Sequence, residues 1–201
     1  MTLEIISLTF AAISLGTSIW ITFINRKRIK VYFDNNIRII DGNVLTLINN
    51  DGQTDNYGPG YLCSIKILNP SPNDIAYFDL RAFPTETNIN SYLLTAKSLH
   101  PEFKQARVYE VYSNEQSINE LEIPEKNHGI IKANSFTHFD IFIANTKGNE
   151  ITSEVAISFK VPKIAFFRDP YAVTERKKFK FYGIKYNVNG PKNQVDSKEQ
   201  Q

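Results

Sequence analysis

The sequence predicts an all-β, antiparallel fold preceded by one N-terminal helix. Three observations carry that expectation. Residues Ile5 to Asn25 hold no charge, and Arg26, Lys27, Arg28 and Lys30 follow at once. Beyond them the apolar period switches to two, the signature of strands. No long helical period returns, while Gly, Pro, Asn and Asp gather between short apolar runs. Roughly nine to eleven such runs imply an antiparallel β-sandwich, immunoglobulin-like or Greek key, rather than a parallel sheet. The Cys and Trp hallmark of immunoglobulin domains is absent, because the single Trp, Trp20, lies in the first segment.

About 20 apolar residues in a helix span the hydrocarbon of a bilayer, and Lys/Arg-rich flanks stay on the cytoplasmic side. Residues 1–28 therefore read as a single-pass transmembrane anchor in the cell membrane, N-terminus outside, with Arg26, Lys27, Arg28 and Lys30 as its basic flank. The β domain would then be cytoplasmic. A signal peptide would place its charge before the apolar run, whereas Met1 to Glu4 carry an acid and no base. Ser7, Thr9, Ser14, Thr17, Ser18 and Thr22 moderate the span and leave a buried helix as the competing reading. Ser7, Ala11, Ser14 and Ser18 share a helical face, and Ala12 and Gly16 form a small-residue pair through which a homo-oligomer could pack. The alternative is that the hydroxyls bond back to their own helix carbonyls.

Strand signals follow in order. Ile29, Val31 and Phe33 alternate with Lys30, Tyr32 and Asp34. Ile37 to Ile40 and Val44 to Ile48 flank Asp41-Gly42, a hairpin signal, and Asn49 to Gly60 has the composition of a loop. Tyr61 to Leu68 alternates cleanly and ends at Asn69-Pro70-Ser71-Pro72, where proline cannot extend the ladder. Ile75 to Phe83 places Ala76, Phe78, Leu80 and Ala82 on one side, with Tyr77, Asp79 and Arg81 on the other. A polar loop follows from Pro84 to Asn90. Tyr92 to Thr95 reads as extended and Ala96 to Gln105 as holding a helical turn. Arg107 to Tyr112, Ile118 to Ile123, Ile130-Ile131 and Phe136 to Ala144 are further strands, and Asn145 to Asn149 a turn. Val155 to Val161 is the clearest half-buried strand, and Pro162 to Thr174 is irregular. In Lys178 to Tyr186, Phe179 and Phe181 share one face while Ile184 and Tyr186 share the other, so Gly183 marks an expected β-bulge. The polar residues 188–201 read as a disordered tail.

Residues 29–187 thus form one domain of ordinary size, and 42% hydrophobic residues supply its core. A net charge of +2 does not by itself argue for nucleic acid. Cys63, the one cysteine, cannot form an internal disulfide and reads as a buried small hydrophobe. His138 and Asp140 share a strand face, and His128 could supply a third group. Neither metal-ligand spacing nor a triad order is visible. There is no Gly-rich phosphate loop. The residues name no catalytic, cofactor or metal site, and no enzyme class.

Partner-binding character is confined to the last strand and its approach. Arg176, Lys177, Lys178, Lys180 and Lys185 interleave with Phe179, Phe181, Tyr182 and Tyr186, so Arg176, Lys177, Lys178, Lys180, Tyr182 and Lys185 form a candidate anionic-ligand surface. Basic groups that track phosphates beside rings that stack on bases suit single-stranded nucleic acid. The same pattern suits an anionic lipid bilayer surface, or a plain edge strand with lysines outward. The expected function is a membrane-anchored module recruiting a protein partner, with single-stranded nucleic acid as the alternative ligand and an enzyme third. The layout of apolar span, basic stop and Asn69-Pro70-Ser71-Pro72 turn resembles small single-pass bacterial membrane proteins with a cytoplasmic β domain. Among these it is similar to a lactococcal membrane-anchored abortive-infection family. That resemblance implies nucleic-acid binding in phage resistance or plasmid biology, and transfers no motif residue by residue.

Overall fold

The computed structural model describes residues 2–24, 28–40, 42, 44–111, 118–145, 151, 153–162 and 179–188. A helix, α1 (Thr2–Ile24), comes first. The strands are β1 (Lys30–Phe33), β2 (Arg38–Ile40), β3 (Leu45–Ile48), β4 (Thr54–Tyr57), β5 (Gly60–Asn69), β6 (Ile75–Pro84), β7 (Arg107–Val111), β8 (Ile118–Leu121), β9 (Gly129–Ile131), β10 (Ser135–Ala144), β11 (Glu154–Pro162) and β12 (Phe179–Asn187). Short 3-10 turns occupy Ala96–Ser98 and Pro101–Phe103. The strands form three antiparallel sheets. The first is β1-β5-β10 with β2 also on β5, the second β12-β11-β6-β9, and the third β4-β3-β7-β8.

The period-two pattern explains what is buried. Tyr61, Cys63, Ile65 and Ile67 of β5 join Ile141 and Ile143 of β10, Leu80 and Ala82 of β6, and Val155, Ile157, Phe159 and Val161 of β11 in one hydrophobic cluster. The opposite face of the same strands contributes Leu62 and Phe142 to a second cluster with Leu45, Leu47, Val108 and Leu121. Tyr61-Leu62-Cys63 and Ile141-Phe142-Ile143 are therefore buried on both faces, which is why those runs read as continuously apolar. Each fully buried Leu, Ile or Phe contributes about 1.5–3 kcal/mol. Gly60 is fixed by this packing: a Cβ there would lie 2.4 Å from the Ile143 carbonyl oxygen.

Five expectations need correction. Among the described residues no helix is long and apolar enough to cross a membrane. The single-pass anchor, and the orientation and cytoplasmic placement that followed from it, are overturned. The hydroxyls that dilute α1 satisfy themselves: Thr9 donates to the Ile5 carbonyl, Thr17 to Ile13 and Ser18 to Ser14. In the supposed basic stop, Lys30 is the first residue of β1 and pairs with Leu68, Arg28 is exposed, and Arg26 and Lys27 lie outside the described residues.

Asp41 lies outside the described residues, and the strands on either side of Asp41-Gly42 pair elsewhere, β2 with β5 and β3 with β4 and β7. The tight hairpin lies instead at Asn49–Gln53, where the Asn49 carboxamide accepts from Asp51 N (3.0 Å) and Gln53 N (2.8 Å). Gly52 there takes φ 78°. The segment read as loop from Asn49 to Gly60 contains β4, a polar strand that adds to β3 through its backbone.

The bulge is in β6, not at Gly183. Lys160 pairs with Phe78 but Ser158 with Arg81, so β6 carries one extra residue, and Asp79 absorbs it at φ 55°. Asp tolerates that left-handed conformation through its short polar side chain. Tyr77 is consequently buried on the same side as Leu80 and Ala82, contrary to simple alternation. By contrast β12 pairs with β11 without interruption from Glu154–Asn187 to Pro162–Phe179. Its inward side chains are Tyr182, Ile184 and Tyr186, so Phe179 and Phe181 face outward. Gly183 is a close approach: a Cβ would meet the Ile157 carbonyl oxygen at 2.9 Å. The expected turn over Asn145 to Asn149, the irregular stretch after Pro162 and the polar tail fall mostly or wholly outside the described residues.

Candidate functional site

The outward face of the second sheet gathers aromatic and basic side chains from three strands. Directly paired residues point to the same side of a sheet, so the register sets the rows. Phe181, Lys160 and Phe78 form one row, and Gly183, Ser158 and Arg81 the next. Lys185, Ala156 and Phe83 form a third. The Phe78 and Phe179 rings meet edge to face at 5.0 Å. The Lys160 ammonium lies 5.2 Å from the centroid of Phe181 and 2.5 Å from Asp79 Oδ2. Arg81 stacks its guanidinium 4.8 Å over Phe83. Phe181 is 47% exposed, although a phenylalanine recruited only for packing would be expected to lose most of its contact with water.

The structure brings together only part of the surface expected from the sequence. Arg176, Lys177 and Lys178 lie outside the described residues. Lys180 and Tyr182 sit on the inward parity of β12, with the Lys180 ammonium 4.8 Å over the Tyr182 ring, and Lys185 is on the opposite, outward parity. Lys160, Arg81 and Phe78 are the members that sequence reasoning missed. Lys160 was visible as an outward residue of a clean alternation, but the register that sets it beside Phe181 is a long-range pairing.

His128 and His138 lie in two separate places, and His100 in a third, 4.0 Å from Glu102. His138 Nε2 lies 3.4 Å from Asp140 Oδ1, and Nδ1 lies 3.8 Å from Glu122, as their shared strand face implied. His128 is not with them; its Nδ1 is 2.8 Å from Asn127 Oδ1 in a different loop. Asp140 is buried and accepts from Ser64 Oγ (2.6 Å) and the Glu122 amide (2.9 Å). Because the Ser64 hydroxyl donates to a carboxylate and not to the imidazole, this trio lacks the relay that activates a serine nucleophile. Among the described residues no group of three or more His, Cys, Asp or Glu side chains is placed to hold a metal ion.

Cys63 is buried as expected, and burial pushes its thiol up to about 12. Burial also raises the Tyr186 hydroxyl, with Cys63 beside it as a second cause. That hydroxyl donates to the Asp34 carbonyl at 2.8 Å. A thiol protonated throughout the neutral range is an inert packing group.

No family model matches the chain, and no curated protein matches it. Among solved structures it is similar to the yjhA protein of Bacillus subtilis. The identity is 8% and the TM-score 0.37, with 80% of this chain and 93% of that one covered.

Proposed function

We propose that the protein is a non-enzymatic β-sandwich binding module, immunoglobulin-like in kind, that holds single-stranded nucleic acid on the outward face of its second sheet. The sandwich reading is supported by the hydrophobic cluster that the first and second sheets share. The ligand reading rests on one observation above the others: Phe181 offers an exposed ring on an edge strand with Lys160 at its face. Base stacking on an aromatic ring contributes about 1–3 kcal/mol per base and tolerates any sequence. Lys160, Arg81 and Lys185 lie on the same face as that ring, where phosphates would run.

Anisotropy of a labelled oligo(dT), titrated with the full chain at rising salt, tests this. If about three phosphates are neutralised, log K falls against log salt with a slope near −2, at about 0.7 per phosphate for a single strand. Phe181→Ser weakens binding, and Lys185→Ser flattens the slope. Absence of saturable binding at low salt overturns the proposal. A protein partner is the second reading, favoured by Tyr32 (55% exposed) and Phe136 (61% exposed) on the outward face of the first sheet. Exposed apolar groups of that size, close together, are a common mark of protein docking.

A further inference from the structure

Beside that face lies a concavity of about 470 Å³ between the β6 bulge, residues 90–98 and the 124–128 loop. Backbone bonds fix its walls: Leu80 N donates to Asn127 O (2.9 Å), Ala96 N to Pro124 O (3.0 Å) and Lys97 N to Glu125 O (3.1 Å). The Thr95–Ser98 capping box holds the 3-10 turn that carries Lys97. Arg81, Lys97, Lys126 and His128 line the concavity against one carboxylate, Asp79. That carboxylate is already engaged by Lys160, and Glu125 meets Lys126 at 3.8 Å beside the site.

Two features of this lining are unfavourable without a ligand. Arg81 Nε is buried with no hydrogen-bond partner, the Asp79 carboxylate standing off at 3.9 Å, and a buried donor without a hydrogen bond carries a cost. The Lys97 amino group is held below its ordinary pKa, first through Lys126, so the two ammonium groups stand as like-charged neighbours. An anion between them offsets that repulsion. A guanidinium and two ammonium groups lining one concavity suit the several oxygens of a phosphate.

We propose that this concavity is a phosphate-binding subsite in which Arg81, Lys97 and Lys126 meet the oxygens of a phosphomonoester or phosphodiester. It goes beyond the nucleic-acid reading, because a free phosphate meets the same donors with no polymer on the sheet.

Calorimetry of the full chain at low ionic strength, with inorganic phosphate, a nucleoside monophosphate and an unphosphorylated oligo(dT), tests it. Saturable phosphate binding is expected, at least ten-fold weaker in Lys97→Gln/Lys126→Gln. Lys30→Gln/Lys66→Gln removes the same charge from the first sheet and should leave the affinity unchanged. Should the first double variant melt early, Lys97→Gln alone, at an exposed site, replaces it with a smaller loss in the same direction. Tighter binding of the nucleoside monophosphate than of phosphate assigns the subsite to nucleotides, and equal binding assigns it to free phosphate. Phe181→Ser should weaken the oligonucleotide and spare phosphate, so failure of the polymer reading is distinguishable from failure of the subsite. No saturable phosphate binding, or an equal loss in both double variants, overturns the subsite.

Discussion

Cys63 shows how far a single residue can be read. Its neighbours Tyr61 and Ile65 alternate with it, which placed the thiol inside, and its burial follows. Burial raises the thiol from 9.0 to about 12, so the unfolded chain releases that proton first. The stability tied to it is complete below pH 9 and declines as pH rises towards about 12. Tyr186 adds to the loss in the same direction. Alkaline denaturation should therefore steepen above pH 9, and a thiol reagent at pH 8 should label Cys63 only when denaturant is present. Prompt labelling of the folded protein would contradict this placement. Asp140 was legible only in part: the strand parity gave its His138 neighbour, whereas its bonds to Ser64 on β5 and to the Glu122 amide depend on pairings beyond its own strand.

At the scale of elements, the strands that alternate without interruption, such as β5 and β11, were legible within a residue or two. The failures have one cause, which is that a strand's face depends on its partners. β6 reverses its faces at Asp79, where no glycine announces a bulge. β12 keeps its faces through Gly183, where a glycine suggested one. β4, with the sequence Thr54-Asp55-Asn56-Tyr57, has no apolar period at all and exists through backbone pairing to β3. The outward placement of Phe181 on β12 has a measurable consequence. Phe181→Ser should change stability by under about 1 kcal/mol, since it removes an exposed ring. Phe159→Ala, on the neighbouring strand and 1% exposed, should cost about 3–5 kcal/mol. Urea unfolding of the two variants checks this, and a larger loss for Phe181 than for Phe159 would contradict its outward placement.

For the whole molecule, the sequence made the antiparallel β character and the leading helix legible, because both rest on local periodicity. Strand order was not, since it depends on pairings such as β5 with β10 that span the chain. The membrane expectation rested on an uncharged run alone, and among the described residues no helix is both long and apolar enough to cross a membrane. Residues 5–21 of α1 are exposed, whereas the strands from β1 onward supply both hydrophobic clusters. Removing residues 1–28 should therefore leave cooperative unfolding with a melting temperature within about 4 °C, a shift that corresponds to about 1 kcal/mol. Loss of cooperativity would place α1 in the core.

The aromatic and basic face of the second sheet is the surface proposed to hold a ligand. Its most direct test is an amide chemical-shift titration of the full chain with oligo(dT). Saturable shifts at Arg81, Ser158, Lys160, Phe181 and Lys185 are expected, with Tyr32 and Phe136 unmoved. Shifts confined to the first sheet, or none at low salt, would contradict the account.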